Sequence, residues 1–393
     1  MDRQSGERGK NSPIKVMTIF GTRPEAIKMA PLVKALEGRA EVESYCCVTA
    51  QHRQMLDGVL DIFRLTPQFD LDIMEQRQTL STITSKCLLG LEQVFSEVRP
   101  DLVLVHGDTS TTFAGALAAF YQKIAIGHVE AGLRTYDKYS PFPEEMNRSM
   151  VGRLADLHFC PTEANRANLE AEGIKHGLYV TGNTVIDALN TTVVKDYHFA
   201  TEELNGLDYT GKKVIVVTCH RRENYGRPME NIMSALCRLA RDYAHEVELV
   251  YPVHLSPVVQ EAAHRHLDGL DNVHLVQPLL ADEMHNLMAR SYLVMTDSGG
   301  LQEEGPALGK PVLVLRRETE RPEAVRAGTV KIAGTEEEDI LRMAGELIGD
   351  EAAYHRMAHA VNPYGDGQAC RRIVEAILYH FGRSRRPPEP FRG

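Results

Sequence analysis

One feature limits this chain more than any other: short β-branched runs recur along it, each followed by a stretch with helical periodicity. Strands are expected near Ile14–Phe20, Val42–Thr49, Leu102–His106, Ile124–Val129, Leu157–Cys160 and Leu178–Thr181. A second set is expected near Lys213–Thr218, Val247–Tyr251, Val273–Val276, Tyr292–Thr296, Pro311–Leu315 and Thr329–Ile332. Between strands, Leu80, Ile83, Cys87, Leu88, Leu91, Val94 and Val98 form a single apolar stripe with helical spacing. Pro24 and Pro257 sit where a helix tolerates proline, in its first turn. Strand–helix alternation implies parallel sheets with right-handed crossovers. The pattern pauses between Gly182 and Gly211 and then restarts. With 393 residues, the chain exceeds one ordinary core. The reading is therefore α/β with two doubly wound domains, the boundary lying near Gly182.

Composition removes several classes of function. The formal net charge is −10, and no basic field offsets it, so nucleic acid is not an expected partner. Seven cysteines, an odd number with no Cys-x-x-Cys pair, read as reduced thiols of a cytoplasmic protein. Met1 to Asn11 is polar and lacks the apolar core of a secretory signal. No apolar run approaches the ~18 residues of a membrane span, so no membrane association is expected. Ser384 to Gly393, with Pro387-Pro388, reads as a frayed, solvated tail.

In open parallel sheets, ligands bind beyond the carboxyl ends of the strands, and the residues found there are polar. Gly21-Thr22-Arg23-Pro24-Glu25 follows the first strand, with Lys28 one turn into the helix. Gly107-Asp108-Thr109 follows Leu102–His106, and Glu130-Ala131-Gly132-Leu133-Arg134 follows Ile124–Val129. His220-Arg221-Arg222-Glu223 follows Lys213–Thr218. Asp297-Ser298-Gly299-Gly300 follows Tyr292–Thr296 and opens a helix containing Glu303 and Glu304. Asp108 and Asp297 read equally well as helix N-caps. His220 alone reads as a structural histidine, and Ser298-Gly299-Gly300 as a tight turn. Glu130 has less structural excuse, because a carboxylate behind an apolar strand is costly unless paired or solvated. Glycines opening a helix also let its N–H groups approach a phosphate. Several such positions together carry the signal.

Other chemistries lack their residues. No Gly-x-Gly-x-x-Gly follows the first strand and there is no Walker A sequence, so no dinucleotide cofactor is expected. Asp70-Leu71-Asp72 does not follow a convincing strand. His264, His266 and His274 lack zinc-like spacing. No metal is expected. Cys219, beside His220, reads as a neutral filler.

The order of motifs resembles one family, the non-hydrolysing UDP-N-acetylglucosamine 2-epimerases. The matching stretches are Gly21–Lys28 (GTRPEAIK), Thr49–Leu56 (TAQHRQML), His106–Thr111 (HGDTST), His128–Thr135 (HVEAGLRT), Pro141–Arg148 (PFPEEMNR) and Thr181–Asp187 (TGNTVID). They continue with His220–Asn224 (HRREN), Thr296–Glu304 (TDSGGLQEE), Gly309–Val325 (GKPVLVLRRETERPEAV) and Asn362–Gly367 (NPYGDG). The resemblance runs from about Ile14 to about Phe381; Met1–Pro13 lies outside it.

The resemblance implies two Rossmann-like domains facing across a cleft, the GT-B arrangement. The first is residues 1–182, with 368–393 packing back on it, and the second, which binds UDP, is 183–367. It implies that Ser298, Gly299 and Gly300 hold the diphosphate and that Glu304 meets the ribose. Arg23, Lys28 and Arg321 would neutralise phosphate charge, and uracil would lie near Gln277. Asp108, Glu130 and Glu144 become candidate acid/base carboxylates, and His220 a partner of the leaving phosphate. A second, activating UDP-N-acetylglucosamine would meet Gln51, Gln54, Arg77, Gln78 and His254. The implied reaction is reversible conversion of UDP-N-acetylglucosamine to UDP-N-acetylmannosamine by a cytoplasmic homodimer feeding cell-surface polysaccharide synthesis. Three rivals remain: a hydrolysing 2-epimerase, a GT-B glycosyltransferase and a non-catalytic UDP-sugar sensor.

Overall fold

Strands buried on both faces read as continuous apolar runs, and the first is Ile14–Phe20, with its residues almost wholly buried. In the computed structural model, which describes residues 12–50, 53–75 and 78–393 (the backbone alone at 53–55), the strands form two sheets. The first contains β1 (Ile14–Phe20), β2 (Val42–Val48), β3 (Phe69–Asp70), β4 (Leu102–His106), β5 (Ala125–Val129), β6 (Leu157–Cys160) and β7 (Leu178–Val180). The second contains β8 (Lys213–Thr218), β9 (Val247–Pro252), β10 (Val273–Val276), β11 (Leu293–Thr296), β12 (Val312–Val314) and β13 (Val330–Ile332). All pairings are parallel. The orders are β3-β2-β1-β4-β5-β6-β7 and β10-β9-β8-β11-β12-β13. In both, the strand order reverses once, between β1 and β4 and between β8 and β11. Those reversals are the places where a doubly wound sheet opens a crevice at its carboxyl edge.

The alternation of side chains along a strand explains the two-sided cores. From β1, Ile14, Val16 and Phe20 join the cluster that includes helix Arg23–Glu37 and helix Ala369–His380. Met17 and Ile19, on the opposite face, pack with Leu91, Phe95 and Ala116 of helices Leu80–Val98 and Ser110–Tyr121. From β8, Ile215 and Val217 face one core, and Val214 and Val216 the other.

The described residues divide into two compact units, those from 12 to 188 with 365–392, and 189–364. The first therefore runs past Gly182 into helix Thr184–Thr192. Asp187 explains this: its two carboxylate oxygens accept the N–H groups of Ala369 (3.0 Å) and Cys370 (2.8 Å), tying that helix to the start of helix Ala369–His380. Phe69–Asp70, a short edge strand, has no signal in the sequence beyond two residues. The seven cysteines are free thiols, six of them buried. Among the described residues, no helix is long and apolar enough to cross a membrane.

The tail corrects the composition-based expectation of fraying. Phe391 is buried, and its N–H donates to Val180 O (2.9 Å) on β7, the outermost strand of its sheet. The Arg372 guanidinium lies 5.6 Å from the Phe391 ring centroid, while bonding Thr181 O and Asp366. Pro387, Pro388 and Pro390 line a small cavity with Leu178, Tyr179 and Val180. A single buried aromatic anchor outweighs the polar composition of the segment around it.

Candidate active site

At the β1/β4 reversal, hydrogen bonds within the chain fix the loops. Thr22 caps helix Arg23–Glu37, with Glu25 completing the capping box. The same Glu25 carboxylate also accepts from Gly21 N (3.0 Å) and from the hydroxyls of Thr109 (2.6 Å) and Thr112 (3.1 Å). It thus joins the loop after β1 to the loop after β4. Gly21 is required: a Cβ there would stand 2.0 Å from Thr49 Oγ1 and 2.7 Å from Thr111 Oγ1.

Asp108 does not cap the following helix; Thr109 does. Its carboxylate lies 3.4 Å from the Arg148 guanidinium, and its carbonyl accepts from Asn147 Nδ2 (2.9 Å). Both partners come from helix Glu144–Leu154, whose first residue is Glu144. Burial pushes the Asp108 carboxyl up to about 6; Arg148 opposes this, and the charges of Glu130 and Glu144 add to it. The three carboxylates proposed from sequence therefore share one electrostatic neighbourhood. The neighbouring Glu145 is structural. It is buried and accepts the N–H groups of Thr135 (3.0 Å) and Tyr136 (2.9 Å) and the Arg148 Nε–H (2.7 Å).

Glu130 stands in a left-handed backbone conformation (φ 61°) just past β5. Its carboxylate pairs with Lys28, accepts from Asn183 Nδ2 (2.9 Å) and lies 3.5 Å from His106 Nε2. Burial lowers the His106 pKa to about 4, so this histidine is neutral beside it. Lys28, expected on phosphate, lies beside this carboxylate. Arg23 occupies the first position of its helix, half-buried.

At the β8/β11 reversal, Asp297 is fully buried and does not cap the next helix, whose N-cap is Gly300. One of its oxygens accepts the N–H groups of His220 (2.7 Å) and Arg221 (2.8 Å) and the Asn224 amide (3.0 Å), fixing the loop after β8. The His220 ring is stacked on His254, centroids 5.1 Å apart, and His254 Nδ1 accepts from Ser256 N (3.0 Å). Ser298 N donates to Thr296 Oγ1 (2.9 Å). A Cβ placed on Gly299 would lie 3.9 Å from an Arg221 terminal nitrogen and 4.0 Å from one of Arg321. Two guanidinium groups thus flank the Ser298-Gly299-Gly300 loop. The Arg321 Nε–H is held by Glu303, which leaves its terminal nitrogen facing the loop. Glu304 lies 3.5 Å from His285 Nε2, and His285 Nδ1 is 2.7 Å from the Thr192 hydroxyl.

Other sequence candidates lie apart or beyond description. Gln277 follows β10, the outer strand of its sheet, and is exposed away from the β8/β11 reversal. Gln51 and Arg77 lie outside the described residues, as does the side chain of Gln54. Gln78 donates to Ile73 O. Asp70 and Asp72 are exposed, bound to each other by a local turn hydrogen bond (3.0 Å). Among the described residues, no three His, Cys, Asp or Glu side chains are grouped to hold a metal ion. Sequence reasoning missed Arg221, Asn183, Asn147 and Arg148 as partners of the site. All four lie inside matched motifs, Arg221 in HRREN, Asn183 in TGNTVID, and Asn147 and Arg148 in PFPEEMNR, and that is the available signal.

Two doubly wound sheets, each with charged loops gathered where its strand order reverses, define an α/β protein of the Rossmann-like class. Residues 34–378 match the sequence profile of UDP-N-acetylglucosamine 2-epimerase. The Bacillus subtilis UDP-N-acetylglucosamine 2-epimerase is 58% identical over 381 residues, 97% of this chain and 99% of that protein. The Neisseria meningitidis UDP-N-acetylglucosamine 2-epimerase, solved bound to UDP-N-acetylglucosamine, superposes with a TM-score of 0.84 at 47% identity, covering 93% of this chain and all of that one (100%). A S. aureus protein solved with UDP gives 0.85 at 53% identity, covering 96% and 100%. The chain belongs to the UDP-N-acetylglucosamine 2-epimerase family.

Proposed function

We propose that this protein interconverts UDP-N-acetylglucosamine and UDP-N-acetylmannosamine by eliminating UDP and adding it back, without releasing the sugar to water. The observation that carries the reading is the shared carboxylate neighbourhood of Asp108, Glu130 and Glu144, in which Asp108 is poised near neutrality. The proton at C2 has no adjacent carbonyl and is not acidic. When the C1–O bond breaks, its electron pair leaves with UDP and C1 becomes cationic in character. A carboxylate then takes the C2 proton, and the C–H electron pair forms the C1=C2 double bond of 2-acetamidoglucal. Protonation at C2 from the opposite face and return of the UDP oxygen to C1 complete the inversion. No hydride acceptor is consumed.

The second unit's loops suit the leaving group. Arg221, Arg321 and the Ser298-Gly299-Gly300 loop stabilise diphosphate charge, and His220 exchanges a proton with a phosphate oxygen. Glu304, oriented by His285, takes the ribose hydroxyls. The ligands of the relatives, UDP-N-acetylglucosamine and UDP, support this choice of substrate. Turnover in deuterated water, followed by NMR, should place one deuterium at C2 of the UDP-sugar product. Unlabelled product would remove elimination–addition. Free N-acetylmannosamine would favour the hydrolysing reaction, and an inert UDP-sugar without acceptor would favour glycosyl transfer.

One observation favours regulation by a second substrate molecule: His254, assigned to that site by resemblance, stacks on His220. An effector that prefers one placement of His254 biases the catalytic ring beside it. His254→Ala should turn a sigmoidal dependence on UDP-N-acetylglucosamine hyperbolic; an unchanged curve counts against the idea.

A further inference from the structure

The two oxygens of Asp297 are used unequally. Oδ2 accepts three hydrogen bonds, from His220 N, Arg221 N and Asn224 Nδ2. Oδ1 is buried and meets no N–H or O–H donor at hydrogen-bonding distance, with only the weakly donating Cys219 thiol also beside the carboxylate. It lies 3.6 Å from Nδ1 of the His220 ring. A buried carboxylate oxygen left unpaired is costly. The His220 Nδ1–H is a donor that a small ring rotation brings to bonding distance. The opposite edge of the ring then carries Nε2, and 38% of the His220 side chain is exposed, so a ligand can reach it.

We infer that Asp297 is a positioning residue that sets the His220 tautomer: the Nδ1–H points to the buried carboxylate, and Nε2 is the atom that exchanges a proton with the ligand. The inference rests on the reading of His220 as the partner of the leaving diphosphate. In elimination, Nε2 of the imidazolium gives its proton to the departing phosphate oxygen and the ring becomes neutral with Nδ1–H retained. In re-addition, Nε2 takes that proton back. Asp297 stays ionised throughout and steadies the imidazolium, the usual duty of a carboxylate behind a histidine. The charged and titratable groups facing the ring are Asp297 at the end of β11, His254 after β9, and Arg221 in its own loop. Burial lowers the His220 pKa; Asp297 opposes that, while His254 and Arg221 reinforce it. Without Asp297, nothing in that set favours the protonated ring.

A merely structural Asp297 would anchor the loop through Oδ2 alone, and the two roles separate experimentally. In 15N-histidine-labelled protein, with His220 assigned by comparison with His220→Ala, the neutral ring should show the Nδ1–H tautomer. Asp297→Asn keeps an acceptor for the backbone N–H groups but turns an amide N–H toward the ring, which should switch it to Nε2–H. Turnover of Asp297→Asn should fall ~10²-fold or more with UDP affinity changed less than threefold. In a His220→Ala background, the same substitution should cost nothing further. An Nε2–H ring in the wild-type protein, or an equal loss in the His220→Ala background, would overturn the inference. Failure of the underlying reading shows separately, as normal turnover in His220→Ala, and the tautomer spectrum does not depend on it.

Discussion

Glu130→Gln is expected to lower turnover by ~10²-fold or more. The substitution keeps the shape of the side chain and the acceptor for Asn183 Nδ2, and removes only the charge. The left-handed backbone at Glu130 is already imposed by the loop, so the amide inherits the same strain and the same position. What it cannot do is accept a proton. It also removes the charge that pairs with the Lys28 ammonium, which is 16% exposed. Removing one partner of such a pair should cost about 3 kcal/mol of stability. Assays well below the unfolding midpoint separate the two losses. A Glu130→Gln protein that turns over normally would remove Glu130 from the chemistry and leave it a structural role, through Lys28 and Asn183.

Asp108→Asn should do two opposite things: abolish most turnover, again by ~10²-fold, and make the protein more stable at neutral pH. The sign follows from linkage. In the folded chain the Asp108 carboxyl titrates near 6, against about 4 when unfolded, because burial and the neighbouring glutamates disfavour its charge. The folded state therefore holds this proton more tightly, and its stability declines as pH rises from about 4 through 6. Above that window the ionised carboxylate is a standing cost. An amide removes the cost, worth roughly 1–2 kcal/mol once the 28% exposure of the side chain is discounted. Thermal unfolding of the two proteins across pH should diverge above 6 and converge below 4. Equal stability at pH 8 would mean that Arg148 compensates the buried charge in full. The limb of the pH–rate profile near 6 should vanish in the variant.

The framework was legible because of what parallel sheets demand. Val103, Leu104 and Val105, or Val214 to Val217, cannot be half-exposed, and so they announce themselves as strands. Asp108, Glu130, His220 and Ser298 were legible as candidates because each follows such a strand. Their partners were not. Asn183 reaches Glu130, and Arg148 reaches Asp108, across tens of residues that only the folded chain brings together. Glu25 shows the limit most plainly. Its capping box is a local pattern, yet its other oxygen bridges to Thr109 and Thr112, and no spacing rule foretells that. Phe391 was hidden for another reason: its neighbours in sequence are polar, and its burial depends on Arg372 and β7.

That last arrangement has a bearing on how the protein behaves when concentrated. The outer margin of β7 would otherwise present unsatisfied carbonyl and amide groups to any extended chain that drifts alongside. The segment lying there is built from Pro387, Pro388 and Pro390, which have no N–H to offer outward. At those three positions an arriving strand finds no N–H to pair with, so the ladder of β7 cannot be extended through them.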